Sequence, residues 1–157
     1  MPDWITHILV AWTLCTILGF RFKQFSQQNS AIVILGALMP DIFKIYLVFY
    51  QFGIQMENFL TPIHLPVGSI LIACIISLFF AESRSIFFFL ILGISTHYTL
   101  DMLLFNGGMC LLYPFSPLKF NIGIISVTDF NITILSIIIA LVIYFIYKAV
   151  NDKNRAY

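Results

Sequence analysis

The sequence predicts an all-α membrane protein built as a bundle of about five transmembrane helices. Of its 157 residues, 61% are hydrophobic and only 10% are charged. A soluble domain is typically about 45–50% apolar and about 25% charged. The apolar residues are also grouped into long runs, and about 20 such residues are needed to cross a hydrocarbon core of about 30 Å. We therefore expect one membrane-embedded domain over residues 1–157.

The apolar runs predict where each span lies. The first begins at Trp4 with no basic region before it and no small-residue cleavage site after it, so we expect a retained span and not a signal peptide. The second contains Pro40 and Asp41, and the third starts at Pro62. A polar turn at 82–85 precedes the fourth, and a long loop at 106–128 precedes the fifth. The predicted spans are residues 4–20, 31–52, 62–81, 86–105 and 130–147.

The basic residues predict the orientation of these spans in a cell membrane. A five-span topology brings six of them to one side of the bilayer, and only Lys119 clearly to the other. Basic residues accumulate in cytoplasmic segments, so the amino terminus is expected outside and the carboxyl terminus in the cytoplasm. The six residues are Arg21, Lys23, Arg84, Lys148, Lys153 and Arg155.

Charge and cysteine usage exclude two classes of function. The net charge is +1 and no basic patch occurs, which argues against nucleic acid as a partner. Cys15, Cys74 and Cys110 are scattered singly, with no C-x-x-C pair. They are expected to be small buried hydrophobic residues and not part of a cysteine metal site.

The strongest functional signal is the pair His97 and Asp101 in the fourth span. Residues four apart share one face of a helix, with Cβ atoms roughly 5–6 Å apart. An imidazole nitrogen and a carboxylate oxygen at that spacing can reach one divalent cation at roughly 2.0–2.2 Å. The pair is therefore a candidate for metal binding.

Three further ionisable residues are expected in the same outer layer of the membrane: His7, Asp41 and His64. Ionisable residues within a membrane mark functional sites by default. Each aspartate costs roughly 2.5–3.5 kcal/mol at mid-helix, whereas small zinc sites bind with about 10–16 kcal/mol. Three imidazoles and two carboxylates suit zinc, with manganese or ferrous iron as alternatives.

Each member of this set also has a structural explanation. His7 could be an interfacial residue beside the tryptophans of the first span. His64 could bond a free backbone carbonyl near its flanking prolines. Asp41 could pair with Lys44 one turn later, and the His97–Asp101 pair could form hydrogen bonds between helices. The agreement in depth of five residues favours the metal interpretation over these separate explanations.

The order of these motifs resembles the YdjM-like predicted membrane-bound metal-dependent hydrolases, from about His7 to Asp129. The resemblance implies a bacterial or archaeal multi-pass membrane protein with a metal site and an inferred hydrolytic activity of no agreed substrate. It adds Thr96 and Ser116 as secondary candidates. Asp129 is a third, although an N-cap of the last span explains it more simply. The matching motifs are His7, Gly36-Ala37-Leu38 with Pro40-Asp41, His64, Thr96-His97 with Asp101, and Tyr113-Pro114-Phe115-Ser116.

Two positions depart from the pattern of that family. Phe43 stands where the family often has a second acid, and Phe59 and Leu60 stand where it often has a His-Arg pair. The reduced supply of ligands favours one metal ion over two. The missing arginine also removes a group that could clamp an anionic substrate.

These residues predict a membrane-bound hydrolase in which His64, His97 and Asp101 hold a divalent metal. His7 or Asp41 would complete the metal's shell, and the other would act as general base or orient the attacking water. The depth of the site predicts an ester or phosphoester of a lipid-like substrate. Two other classes stay open: a metal or proton transporter, which should carry ionisable groups through both membrane halves, and a non-catalytic scaffold that retains a metal site.

Overall fold

The computed structural model describes residues 4–42, 50–52, 62, 64–103, 110–116, 118–124 and 130–155. The predicted all-α class is confirmed for this part of the chain, which forms five α-helices. They are α1 (Trp4–Gly19), α2 (Gln27–Ile42), α3 (Pro66–Ser77), α4 (Ser83–Met102) and α5 (Phe130–Arg155).

The five helices alternate in direction. His7, near the start of α1, stacks on His97, near the end of α4. His97 in turn lies 3.5 Å from Asp41, at the end of α2. Hydrogen bonds join the first turns of α3 and α5 to the same region. We call this the upper end of the bundle; it holds the first residues of α1, α3 and α5 and the last residues of α2 and α4. The two hydrogen bonds are Ser69 to Tyr98 and Thr133 to Thr6.

Several helix boundaries differ from the sequence prediction; α3, for example, covers Pro66–Ser77 and not residues 62–81. Helix α2 begins at Gln27, four residues before the predicted position, because Ser26 accepts hydrogen bonds from the amides of Asn29 and Ser30. Residues 83–85 belong to α4 and not to a turn, and the amide of Ile86 donates to the carbonyl of Glu82. Helix α5 continues well past residue 147 through its charged final turns.

Two of the described helices are long and apolar enough to cross a membrane. They are Ser83–Met102, with a mean hydropathy of 1.3, and Asn131–Val150, with a mean hydropathy of 2.3. The described parts of α1, α2 and α3 contain 16, 16 and 12 residues. At 1.5 Å per residue, even 16 residues rise only about 24 Å. Length and composition therefore support two of the five predicted spans.

The backbones of α2 and α4 approach each other closely, and two glycines permit this. A Cβ atom on Gly93 would lie 2.0 Å from the carbonyl oxygen of Val33, and one on Gly36 would lie 2.4 Å from that of Leu90. Small residues at helix interfaces allow this kind of backbone contact. Since Gly93 lies one turn before His97, the close approach also holds the part of α4 that carries His97 against α2.

Helix α5 packs against α1 and leaves most of its surface uncovered. Its exposed positions carry large aliphatic and aromatic side chains, which suits a surface in contact with lipid tails. Examples that are more than half exposed are Ile134, Leu135, Ile138, Leu141, Val142 and Phe145.

Candidate metal centre

Five ionisable side chains converge at the upper end of the bundle. They come from four segments of the chain, because α1 supplies one, α2 one, α4 two, and the residues before α3 supply the fifth. Four of them are at most 2% exposed and the fifth is partly buried. The five residues are His7, Asp41, His64, His97 and Asp101.

His97 lies at the centre of this cluster. Its Nε2 atom is 3.5 Å from Oδ1 of Asp41 and 3.4 Å from Oδ2 of Asp101. Both separations exceed the usual N–H···O range of about 2.7–3.2 Å. Nε2 of His97 is buried and forms no hydrogen bond with any residue that the structure describes. One imidazole nitrogen is thus directed towards two carboxylates without bonding either.

The other ring nitrogen fixes which tautomer His97 adopts. Nδ1 of His97 lies 2.8 Å from the carbonyl oxygen of Ala37, and Nδ1 of His64 lies 2.8 Å from that of Pro40. Because a carbonyl oxygen only accepts, each Nδ1 carries the proton in the neutral ring, and each Nε2 keeps its lone pair. Backbone carbonyls orient metal-ligating histidines in this way in many proteins.

His7 joins the cluster from α1. Its ring stacks on that of His97, with centroids 4.1 Å apart and planes inclined by 19°. Its Nε2 atom is 3.9 Å from Oδ1 of Asp101. On the other side of the cluster, Nδ1 of His64 is 3.9 Å from Oδ1 of Asp41. Each carboxylate therefore contacts two imidazoles, and His97 is common to both contacts.

The donor atoms of the cluster fit a divalent metal. Two atoms bound to one ion at about 2.1 Å, at tetrahedral angles, lie roughly 3.4 Å apart, which matches the distances from His97 to Asp41 and to Asp101. Two groups of three residues have donor atoms within 4.8 Å of one another: His7, His97 and Asp101 form one, and Asp41, His64 and His97 form the other. Since its Nε2 has one lone pair, His97 can ligate one ion through that atom. The two groups therefore cannot both hold an ion through Nε2 of His97.

A hydrogen-bonded chain behind the cluster positions His64. The hydroxyl of Tyr98 donates to the backbone carbonyl of His64 at 2.8 Å. Tyr98 has one hydroxyl proton, so Ser69 must donate in the 2.6 Å bond between the two side chains. Sequence analysis did not identify these residues. The sequence does show a tyrosine and a serine within apolar helices, and a buried hydroxyl needs a hydrogen-bond partner. That pattern could have identified both residues as candidates for a buried polar contact.

The three secondary candidates do not contribute described contacts to the cluster. The hydroxyl of Thr96 donates to the carbonyl of Gly93 within its own helix, at 2.7 Å. Ser116 lies in the loop after α4, where its hydroxyl accepts from the amide of Leu118 at 3.3 Å. Asp129 lies outside the described residues. So do Lys44 and the family positions at Phe43, Phe59 and Leu60.

Asp41 lies on α2 beside His97. The sequence prediction placed it within a span over residues 31–52; the structure describes α2 from Gln27 to Ile42, and residues 43–49 lie outside the described part of the chain. The helix continues through Pro40 without a break.

Comparisons with known proteins confirm the family that the sequence resembles. A family model described as the YdjM inner membrane protein matches residues 1–156. Searches of curated proteins and of solved structures found no match. Because the family model covers all but the last residue of the chain, the protein belongs to the YdjM inner membrane protein family.

Proposed function

We propose that this protein is a metal-dependent hydrolase that cleaves an ester or phosphoester of a lipid-like substrate. The observation that carries the proposal is the convergence of three imidazoles and two carboxylates around Nε2 of His97. A purely structural cluster would be expected to satisfy a buried nitrogen with a hydrogen bond. The distances instead fit donor atoms arranged around a cation.

In this proposal His97 holds the metal together with one residue from each group, His64 and Asp101. The metal is zinc or alternatively manganese or ferrous iron. When bound, such a metal supplies a coordinated water with a pKa near 7. His7 or Asp41 completes the set of ligands. The residue that does not ligate accepts a proton from the attacking water or orients it, which is the role of a general base.

The reaction class is hydrolysis. The water oxygen forms a bond to the carbonyl carbon or phosphorus, and the bond from that atom to the ester oxygen breaks. One proton of the water leaves through the general base, and a proton reaches the departing alcohol oxygen. The products are an acid and an alcohol, and no oxidant or reductant is required.

We also propose that all five helices cross the membrane and that the upper end lies at the outer face. The alternating helix directions support this topology. Arg21 and Lys23 follow α1 at the lower end of the bundle, and Arg84 lies there in the first turn of α4. Basic residues favour the cytoplasmic side. The metal centre would then be accessible to lipids of the outer leaflet.

Metal analysis of the detergent-purified protein tests the metal centre. We expect about one divalent ion per chain in the wild type, and loss of that ion in His97→Ala and Asp101→Ala. Thr99→Ala is the matched control, because Thr99 lies on the exposed face of the same helix and bonds its own backbone. Unchanged metal content in both site variants would contradict the assignment.

A panel of lipid esters and phosphoesters then tests the activity. We expect hydrolysis by the metal-loaded wild type and none by His97→Ala. Binding of metal with no hydrolysis of any lipid on the panel would favour the scaffold. Metal or proton flux through liposomes that hold the purified protein, again without hydrolysis, would favour the transporter.

A further inference from the structure

An apolar groove runs along the bundle between α1 and α5. Its volume is about 350 Å³, which lies within the usual range for small-molecule pockets of about 300–1,000 Å³. Leu100 of α4 forms part of its lining, and the rims at Ile17, Leu135 and Ile139 are 44–55% exposed. The groove is therefore open along its side, towards the region that lipid would occupy.

The upper end of the groove adjoins the metal centre. Thr6, which lines the groove, directly precedes His7, and Leu100 directly precedes Asp101. A hydrogen bond of 3.1 Å between the hydroxyls of Thr6 and Thr133 marks this end. Apart from Thr6, Thr13 and Ser136, the lining is aliphatic. The groove is thus aliphatic over most of its length, with one hydroxyl residue at its upper end and two midway along it.

The length and direction of the groove match those of a lipid tail. From Thr6 to Ile17 the first helix rises roughly 16 Å, and one leaflet contributes half of a hydrocarbon core of about 30 Å. A lipid of the outer leaflet has its ester groups near the outer face and its chains directed inwards. The groove has the matching arrangement, because the candidate metal centre adjoins its outer end and the lining below is mostly aliphatic.

We infer that this groove binds one acyl chain of a lipid in the outer leaflet and thereby places an ester bond at the metal centre. This inference rests on the proposed function, because it names the substrate class of the same site. An acyl chain suits the groove better than a protein helix, since the groove has a volume of only about 350 Å³, is mostly aliphatic, and adjoins the cluster at its upper end.

Photocrosslinking tests the inference without relying on hydrolysis. The full chain is reconstituted in phosphatidylcholine vesicles that contain a phospholipid with a diazirine at the methyl end of one chain. We expect labelling of groove residues near Ile17 and Ile139. Ile139→Trp should reduce this labelling by roughly tenfold, because excluding about two buried methylenes has an effect of that size.

A neighbouring residue provides the matched control. Ile138 is also on α5 and is 52% exposed, but it does not line the groove. In the Ile138→Trp variant, the groove residues should be labelled to the same extent as in the wild type. Leu135→Trp offers a second obstruction at an exposed rim position, should Ile139→Trp fold poorly. Equal labelling in both groove variants and the control would overturn the inference, as would crosslinks to a second copy of the chain.

The design separates failure of the groove from failure of the hydrolase. His97→Ala leaves the groove lining intact, so it should lose hydrolysis but keep the labelling. Labelling of the groove in a wild type that hydrolyses nothing would refute the hydrolase alone. Hydrolysis by Ile139→Trp at the wild-type rate for both long and short chains would refute the groove alone.

Discussion

His97 is the residue common to both halves of the cluster, and its two ring nitrogens have different partners. Nδ1 is held by the carbonyl of Ala37, and Nε2 faces the two carboxylates. The ring orientation is therefore set by the backbone of another helix and not by a second side chain. A substitution at position 97 removes a candidate ligand and a contact between helices together, so the effect on stability must be measured beside the effect on metal binding.

Tyr98→Phe tests a positioning role separately from ligation. The change removes the hydroxyl that donates to the carbonyl of His64 and accepts from Ser69. We expect the free energy of unfolding to fall by about 0.5–1.5 kcal/mol. Metal affinity should fall by up to roughly tenfold, which is the smallest effect usually seen when a residue that orients a metal ligand is replaced. Thermal unfolding and metal titration in detergent measure the two effects.

Tyr144→Phe is the control for that prediction, because Tyr144 is 45% exposed on α5. It should leave both quantities unchanged. A loss of stability in Tyr98→Phe with an unaltered metal affinity would show that the hydroxyl has a structural role only.

Sequence reasoning identified the ionisable residues of the cluster but not what holds them. The spacing of His97 and Asp101 reveals a shared helix face, and the depth of the other three suggests the same layer. The carbonyls of Ala37 and Pro40 could not be predicted, because every residue has a carbonyl and its accessibility depends on packing. The sequence shows that Tyr98 lies within an apolar helix, but it cannot show which residues its hydroxyl contacts.

At the scale of helices, the contact between α2 and α4 determines the geometry of the centre. Gly36 and Gly93 allow the two backbones to touch, and the contact continues to Asp41 and His97. A lateral shift of either helix would change the distance from Asp41 to His97, whereas Asp101 lies on the same helix as His97 and would move with it.

Gly93→Ala should disrupt this contact. Its added Cβ would lie 2.0 Å from the oxygen of Val33 and 2.6 Å from the amide nitrogen of Ala37, both rigid backbone atoms. Overpacking typically costs about 1–3 kcal/mol, and occasionally more. We expect a loss at or above the upper end of that range, together with loss of bound metal, measured by thermal unfolding and elemental analysis.

Two other glycines provide graded comparisons. Gly36→Ala places a Cβ 2.4 Å from the oxygen of Leu90 and should be similarly harmful. Gly19→Ala places one 3.3 Å from the oxygen of Phe25, at the lower end, and should be tolerated far better. An equal effect at all three positions would show that helix contact is not the cause.

Helix boundaries were less predictable than the existence of helices. Apolar runs locate the hydrophobic part of each element, whereas capping decides where the helix begins and ends. Ser26 starts α2 within a polar segment that hydropathy assigns to a connection. Helix α5 likewise extends beyond its apolar stretch, which ends at Val150, through charged residues to Arg155. Charged residues are compatible with a helix but not with the apolar part of a membrane span.

At the scale of the whole molecule, the sidedness of the bundle connects the fold with the proposed chemistry. The upper end carries the candidate metal centre and residues 118–124, in which the amides of Ile122 and Ile124 donate to the carbonyls of Met102 and Leu103. If the upper end faced the cytoplasm, the groove between α1 and α5 would receive lipids of the inner leaflet instead.

Single cysteines report this sidedness. In a variant with Cys15, Cys74 and Cys110 replaced, we expect Ser116→Cys to react with a membrane-impermeant maleimide added to intact cells or spheroplasts. Lys23→Cys, at the lower end, should react only after the membrane is permeabilised. The reverse pattern would invert the orientation, and reaction of both in intact cells would refute a topology with the two ends on opposite sides.

The assembly of one centre from four segments also constrains how the protein is made. Chains are synthesised from the amino terminus, so His7 and Asp41 are translated well before His97 and Asp101. In the proposed five-span topology, the acid of α2 must therefore be tolerated in the bilayer while two further helices are translated. A metal held as proposed would be loaded late in biogenesis, and a chain that stalls before α4 would lack two of its ligands.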